Sequence, residues 1–405
     1  MGIRQSADQG FFVLRESVRS FLRNRGLEKA SVLAYNTFFA LFPLLLLLLF
    51  LAGHFMASSQ AAMAGVERVA RQMMPLFGDV ALREVRGLAA QKAWGLASFL
   101  ILFWAVTPLA ASIRGAFDNI YKTERGFPYL KEKLLDIAAV LVMLLLLILL
   151  VVGELAYAVI TPLVVGKLPL LARATDAVVP LVMTVVFLSF IHVTFAPVRP
   201  GLGAILAGSL ISSLLLAVIG PAFAAVLRFD PNYGVAFGSL KAVFLLLTWI
   251  YASFAAILLG IEVSANVHRK EALLVRELFS DSGKRDKYVA RLARYVTAHE
   301  AGDVVFREGE PGDAMYYVAQ GGVSLSRNGR ELVKVRAGEY FGEMAMLLGK
   351  ERTATVTVAE PGTRLVAISA ANVETVLREN PKVVLALLHE MAERLRATDE
   401  LAAKG

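Results

Sequence analysis

The chain of 405 residues contains no cysteine, which removes disulfides, thiolate nucleophiles and cysteine-based zinc sites at once. Its five histidines (His54, His192, His268, His299 and His389) are dispersed, and no two are closer in sequence than His268 and His299. Metal-assisted hydrolysis needs clustered His, Asp or Glu ligands, so no metal site is expected. Charge is also scarce: 19% of residues are Asp, Glu, Lys or Arg and 57% are hydrophobic. With a mean hydropathy of +0.61, the natural solvent for much of this chain is a bilayer. A cleavable signal peptide is not expected, because the first apolar run starts only near Ala30 and is too long for one.

What is present is a series of charge-free stretches at residues 30–66, 93–113, 137–153, 177–198, 200–227 and 242–261. A span takes about 20 apolar residues, so each stretch accommodates one helix, the first near residues 33–56. The expected fold is an all-α polytopic bundle of six transmembrane helices over residues 30–263. The net charge of +8 does not call for a nucleic-acid partner, because many basic residues flank apolar segments and serve membrane topology. Arg4, Arg15, Arg19, Arg23, Arg25 and Lys29 precede the first span, and Arg114, Lys122, Arg125, Lys131 and Lys133 lie between the second and third. The positive-inside rule therefore makes residues 1–29 cytoplasmic, and six spans return the C-terminal part to the same side. The connection containing Arg68, Arg71, Arg83, Arg86 and Lys92 breaks this pattern; short interfacial helices or a lid over an outer vestibule would account for it.

Small residues recur every fourth position in two stretches, Ala204-Gly208-Ser212 and Ala252-Ala256-Gly260, a pattern suited to close helix packing. Residues 264–285 read as a helical, then polar, linker. From residue 286 to 405, short apolar strands near 304–306, 315–318, 323–325, 332–335, 355–358 and 365–368 alternate with glycine turns and predict a β jelly roll with flanking helices. The last segment, 371–403, carries an apolar stripe at Val384, Leu388, Met391 and Leu395 that would pack on the barrel or pair two copies in a homo-oligomer.

The most specific stretch is FGEMAMLLGKERTATV, residues 341–356. A glycine and short helix between strands expose backbone N–H groups, an arginine can hold a phosphate through two hydrogen bonds, and a carboxylate can accept from a ribose hydroxyl. This stretch, with GDVVFREGEPGD at 302–313 and Gly321-Gly322-Val323, resembles the phosphate-binding cassette of cyclic-nucleotide-binding domains. The resemblance implies that Glu343 meets the ribose. Gly342, Met344, Ala345 and Arg352 would hold the cyclic phosphate, while Thr353 and Thr398 would bear on the base. Asp399 stands where a serine is common, so cyclic AMP and cyclic GMP both remain open as regulatory ligand. Loss of the ligand with retention of the fold is the alternative, although both the acid and the arginine are kept.

The membrane part resembles the YihY/BrkB family of bacterial inner-membrane proteins, historically labelled ribonuclease BN. The match rests on AYNTFFALFP at 34–43, DNIY at 118–121, Pro200-Gly201 with Gly203-Ala204, residues 233–240, TWIY at 248–251 and GIE at 260–262. The residues offer no support for a nuclease. Polar groups in or beside spans are expensive in lipid, which singles out Glu154, His192, Lys241 and Glu262; each has a structural role open to it as well. The expectation is a non-enzymatic transporter or permeation protein for a lipid or other amphiphile, regulated by cyclic nucleotide. A membrane scaffold or receptor that dimerises or recruits on sensing the nucleotide is the alternative.

Overall fold

The computed structural model describes residues 2–55, 96–123, 128–165, 169–229, 241–279 and 295–379, with a few isolated positions beyond these. The chain forms two units, one of Phe12–His268 and one of Met1–Phe11 with Arg269–Gly405.

Among its described residues, the first unit is almost entirely helical. An initial helix, α1 (Gly2–Arg23), is followed by six longer ones: α2 (Gly26–Phe55), α3 (Leu96–Tyr121), α4 (Tyr129–Val165), α5 (Pro169–Phe195), α6 (Leu202–Phe229) and α7 (Lys241–His268). Helices are the outcome that lipid enforces, since each closes its own backbone hydrogen bonds. Prolines inside α2, α3, α5 and α6 (Pro43, Pro108, Pro180 and Pro221) are tolerated there. Among the described residues, three helices contain segments long and apolar enough to cross a membrane: Val178–Phe195, Leu202–Ala225 and Val243–His268. The six long helices thus coincide with the six apolar stretches, while three of them are established as candidate spans. The interfacial helices or lid expected around Arg68 to Lys92 lie outside the described residues.

Packing runs around the bundle, with α7 against α6 and α2, α2 against α3, α5 against α6, and α4 between α3 and α5. The two small-residue stripes are the reason α6 and α7 approach so closely. A Cβ on Gly208 would meet the Gly260 carbonyl at 2.5 Å and the Ser264 Cβ at 2.7 Å. A Cβ on Gly260 would meet the Gly208 carbonyl at 2.5 Å. The aromatic core centres on Phe117, which stacks on Tyr121 and Phe195 and meets the His192 ring edge-on at 5.7 Å.

In the second unit, α8 (Lys270–Phe279) precedes eight strands: β1 (Val296–His299), β2 (Val304–Phe306), β3 (Ala314–Gln320), β4 (Gly322–Arg327), β5 (Arg330–Arg336), β6 (Tyr340–Phe341), β7 (Thr355–Val358) and β8 (Thr363–Ser369). Helix α9 (Glu343–Leu348) lies between β6 and β7, and α10 (Ala370–Glu379) follows β8. The strands form two four-stranded antiparallel sheets ordered β1-β8-β3-β6 and β2-β7-β4-β5. Phe306, Val318, Val323, Val335, Phe341, Val356, Val358 and Leu365 fill the core. Asn328 and Gly329, both at positive φ, close the β4–β5 hairpin as an Asn-Gly turn does. Strands β1 and β6 escape the sequence pattern, because one carries little apolar alternation and the other has only two residues.

Candidate functional site

The nucleotide-type cassette is built from the β6–α9–β7 segment folded against β2 and β3. Gly342 joins β6 to α9 at φ 78°, a left-handed conformation that glycine adopts without strain. A side chain there would also collide with Arg352, whose Nη1 lies 2.7 Å from the position of a Cβ. Gly312 approaches from the other side, where a Cβ would stand 2.5 Å from that of Ala345 and 3.2 Å from Arg352 Nε. Two glycines therefore make the room that one arginine occupies.

Arg352 is buried, at 4% exposure. Its Nη1 donates to the Gly342 carbonyl at 2.9 Å and its Nη2 to the Ala314 carbonyl at 2.8 Å. The guanidinium lies over the Phe306 ring at 4.1 Å from the centroid, with the Tyr316 ring at 5.9 Å. Its Nε has no hydrogen-bond partner, and no carboxylate forms an ion pair with it among the described residues. Burial pulls this guanidinium below the ordinary arginine range, and Tyr316, Asp313 and Glu310 oppose that shift. A buried cation without a paired anion is costly. A phosphate at this point would supply the missing charge and use the planar donor fork.

The other cassette residues surround this cation. Glu343 is buried at the first position of α9, and Ala345 is buried beneath it. Met344 is half-exposed on the outside of α9 with Leu347 and Leu348, while Thr353 is exposed just past Arg352. Thr398 lies outside the described residues. With six residues, α9 is too short for a strong end dipole, so Arg352 is the dominant electrostatic element.

The membrane unit contains a second feature, a cavity of about 540 Å³. Every one of the six long helices contributes to its wall: Leu41 from α2, Ile113 from α3, Leu147 from α4, Phe187 from α5, Leu216 from α6 and Phe254 from α7 are examples. Thr37, Thr184, Ser213 and Ser253 bring hydroxyls to it. Three of these donate to carbonyls of their own helices, Thr184 to Pro180, Ser213 to Ser209 and Ser253 to Trp249, whereas the buried Thr37 Oγ1 has no partner.

A family profile described as virulence factor BrkB matches residues 17–280, more than half of the chain. The chain belongs to the virulence factor BrkB family. A profile described as the cyclic nucleotide-binding domain matches residues 296–380 of this BrkB-family protein. A UPF0761 membrane protein of Chromohalobacter salexigens is 27% identical over 62% of this chain and 62% of its own length. The putative ribonuclease-like protein YfkH of Bacillus subtilis is 24% identical over 64% of this chain and 96% of its own. A putative potassium channel protein of Rhodopseudomonas palustris is 39% identical over 21% of each chain. The solved catabolite activator protein of Thermus thermophilus is 31% identical over 31% of this chain and 61% of that chain, with a TM-score of 0.27. The chain spans less than two thirds of the first curated relatives, at 62%, 13% and 21% of their lengths.

The structure also shows what the BrkB-type motif residues touch. Asn36 donates to the Ser112 hydroxyl at 2.6 Å, joining α2 to α3. Asn119 accepts from Lys29, which also donates to the Asn24 carbonyl at 2.6 Å. The Tyr121 and Ser264 hydroxyls lie 3.1 Å apart, and Asn24 donates to Glu262 at 2.6 Å. Asn266 donates to Ser17 at 3.0 Å. These contacts form one polar belt joining α1, α2, α3 and α7. Among the sequence-derived polar candidates, Glu262 belongs to the belt. His192 is elsewhere, with Nδ1–H donating to the Leu188 carbonyl at 2.8 Å and Ser209 Oγ 3.5 Å away. Glu154 and Lys241 lie in α4 and at the start of α7, and their side chains are outside the described set. Among the described residues no group of three or more His, Asp or Glu is placed to hold a metal ion.

Sequence reasoning missed the aromatic shelf of Phe306 and Tyr316, the Gly312 contact and the gathering of Thr37, Thr184, Ser213 and Ser253 onto one cavity. The aromatic signal was available, since Phe306 lies in the matched stretch at 302–313. The hydroxyls carry no local signature, because serine and threonine in a membrane helix usually bond their own backbone.

Proposed function

We propose that this BrkB-family membrane protein is a transporter or permeation protein of the bacterial inner membrane, for a lipid or another amphiphile, under the control of cyclic AMP or cyclic GMP. In this reading all six long helices cross the bilayer, with the basic N-terminal segment and the nucleotide domain in the cytoplasm. The observation that carries the transport half is the cavity to which all six helices contribute. Its apolar wall suits an acyl chain, and the four hydroxyls suit a weakly polar group attached to it. Its volume falls within the ~300–1,000 Å³ range of ligand pockets.

The buried, anion-deficient Arg352 supports the regulatory half. A continuous chain of elements leads away from it. The Ala314 carbonyl that Arg352 holds belongs to β3, β3 pairs with β8, β8 runs directly into α10, and α10 packs against α8. Only Arg269 separates α8 from α7. Nucleotide binding can bias the membrane helices by its differential affinity for two states, typically about 1–3 kcal/mol. The reading gives the protein no catalytic role and no resident metal; the ribonuclease-like name belongs to the Bacillus relative.

The deciding experiment is reconstitution of the purified full-length protein in vesicles, with transbilayer movement of a fluorescent phospholipid as readout. Flux that changes with cyclic nucleotide, and ignores it in Arg352→Ala, is the expected result. Nucleotide binding without flux would favour a membrane scaffold or receptor. Absence of calorimetric heat for both nucleotides at millimolar concentration would remove the regulation.

A further inference from the structure

Helix α1 has two faces of different character. The inner one is closed: Val13, Glu16, Ser17, Ser20 and Phe21 are buried, and Ser17 and Asn24 tie the helix and its following turn to Asn266 and Glu262 of α7. The outer one is open and patterned. Leu14, Val18 and Leu22 recur every fourth residue and are exposed, at 41%, 42% and 62%. Arg15 and Arg19 stand one position further on, also exposed, so a basic stripe runs beside the apolar one. Neither arginine pairs with a carboxylate among the described residues. Arg23, next in the row, is half-exposed and is paired with Glu16 at 3.7 Å and with the Ser20 hydroxyl. The acid in the middle of α1, Glu16, is buried, so between residues 9 and 23 the outer face carries only positive charge.

We propose that the outer face of α1 binds an anionic bilayer surface, with Arg15 and Arg19 on lipid phosphates and Leu14, Val18 and Leu22 seated at the acyl boundary. A helix with adjoining apolar and basic stripes lies in the interface plane, and anionic lipid adds to its hold. The partner is identified by charge complementarity together with the apolar row; a free phosphate would leave Leu14, Val18 and Leu22 in water. Because the inner face of α1 bonds the end of α7 at Glu262 and Asn266, lipid composition is then read at the helix that leads into α8. This surface is independent of the transported species and of the nucleotide.

Since the chain has no cysteine, a single Val18→Cys can carry a fluorophore in the full-length protein. The protein is placed in vesicles of phosphatidylcholine alone or of phosphatidylcholine and phosphatidylglycerol in equal parts, with a trace of spin-labelled phosphatidylcholine or phosphatidylglycerol as quencher. Quenching by the anionic quencher should exceed that by the neutral one, with a preference of about fivefold for each arginine at low salt. High salt should weaken it. Arg15→Gln with Arg19→Gln should abolish the preference while nucleotide binding stays unchanged, and Arg15→Lys with Arg19→Lys should retain it. Equal quenching by the two lipids would overturn the proposal by reducing the face to general interfacial burial. No quenching by either would overturn it by turning the face to water or to a protein partner.

Discussion

The guanidinium of Arg352 rests 4.1 Å above the ring of Phe306, across the sheet that closes the cassette. The ring supports the cation from below while two main-chain carbonyls hold its Nη atoms, so the donor fork is oriented before any ligand arrives. Arg352→Ala is expected to weaken cyclic-nucleotide binding by about 10- to 100-fold, in line with a charge-assisted contact worth about 1.5–3 kcal/mol. Arg352→Lys should recover only part of this, because a point charge replaces a planar fork. Titration calorimetry on the full-length protein measures both.

Gly342 offers a sharper test of the same geometry. Its φ of 78° and the approach of Arg352 Nη1 mean that Gly342→Ala adds backbone strain and displaces the guanidinium. Loss of nucleotide affinity comparable to that of Arg352→Ala is expected, whereas Gly349→Ala, also left-handed but with open space around it, should leave affinity intact and cost only about 1–2 kcal/mol of stability.

The contact between Gly208 and Gly260 sets the distance between α6 and α7. Gly260→Val is expected to force these helices apart and lower the thermal unfolding midpoint in detergent, by an overpacking cost of about 1–3 kcal/mol. Gly220→Ala in α6 has nothing within 4 Å of the added Cβ and should be neutral or stabilising.

Arg114 and Asp136 form a buried pair at 2.7 Å between α3 and α4, which Lys133 joins at 3.5 Å. Asp136→Leu strands the Arg114 charge and should destabilise by about 3–5 kcal/mol, whereas Arg114→Leu should cost less because Lys133 still reaches the carboxylate. The double substitution should recover much of that loss, and chemical unfolding in detergent of the four proteins completes the cycle.

Ile257 lines the central cavity from α7. Ile257→Trp would fill part of it and is expected to slow lipid flux in vesicles by about tenfold, equivalent to about 1.4 kcal/mol on the barrier. Cyclic-nucleotide binding should be unaffected. Unchanged flux would mean that cargo takes another path.

The sequence by itself determined the six long helices and most of the strands, because their causes are local, whereas the helix at Gly2–Arg23 was read only as a basic segment. A run of about 20 uncharged residues in lipid has to close its own hydrogen bonds, and helix is the single-chain way to do so. The cassette was equally legible, since Gly342, Glu343 and Arg352 lie within one short stretch and carry distinctive chemistry. Only the tertiary structure decided what these pieces face. Phe306 and Tyr316 reach Arg352 from other strands, Asn24 finds Glu262 across nearly the whole membrane unit, and Thr37, Thr184, Ser213 and Ser253 gather from four helices onto one cavity. Each of these depends on how a helix is rotated about its axis or which strand lies beside which. In an almost uniformly apolar helix, where every face is compatible with lipid, packing against neighbours settles that rotation and no local pattern records it.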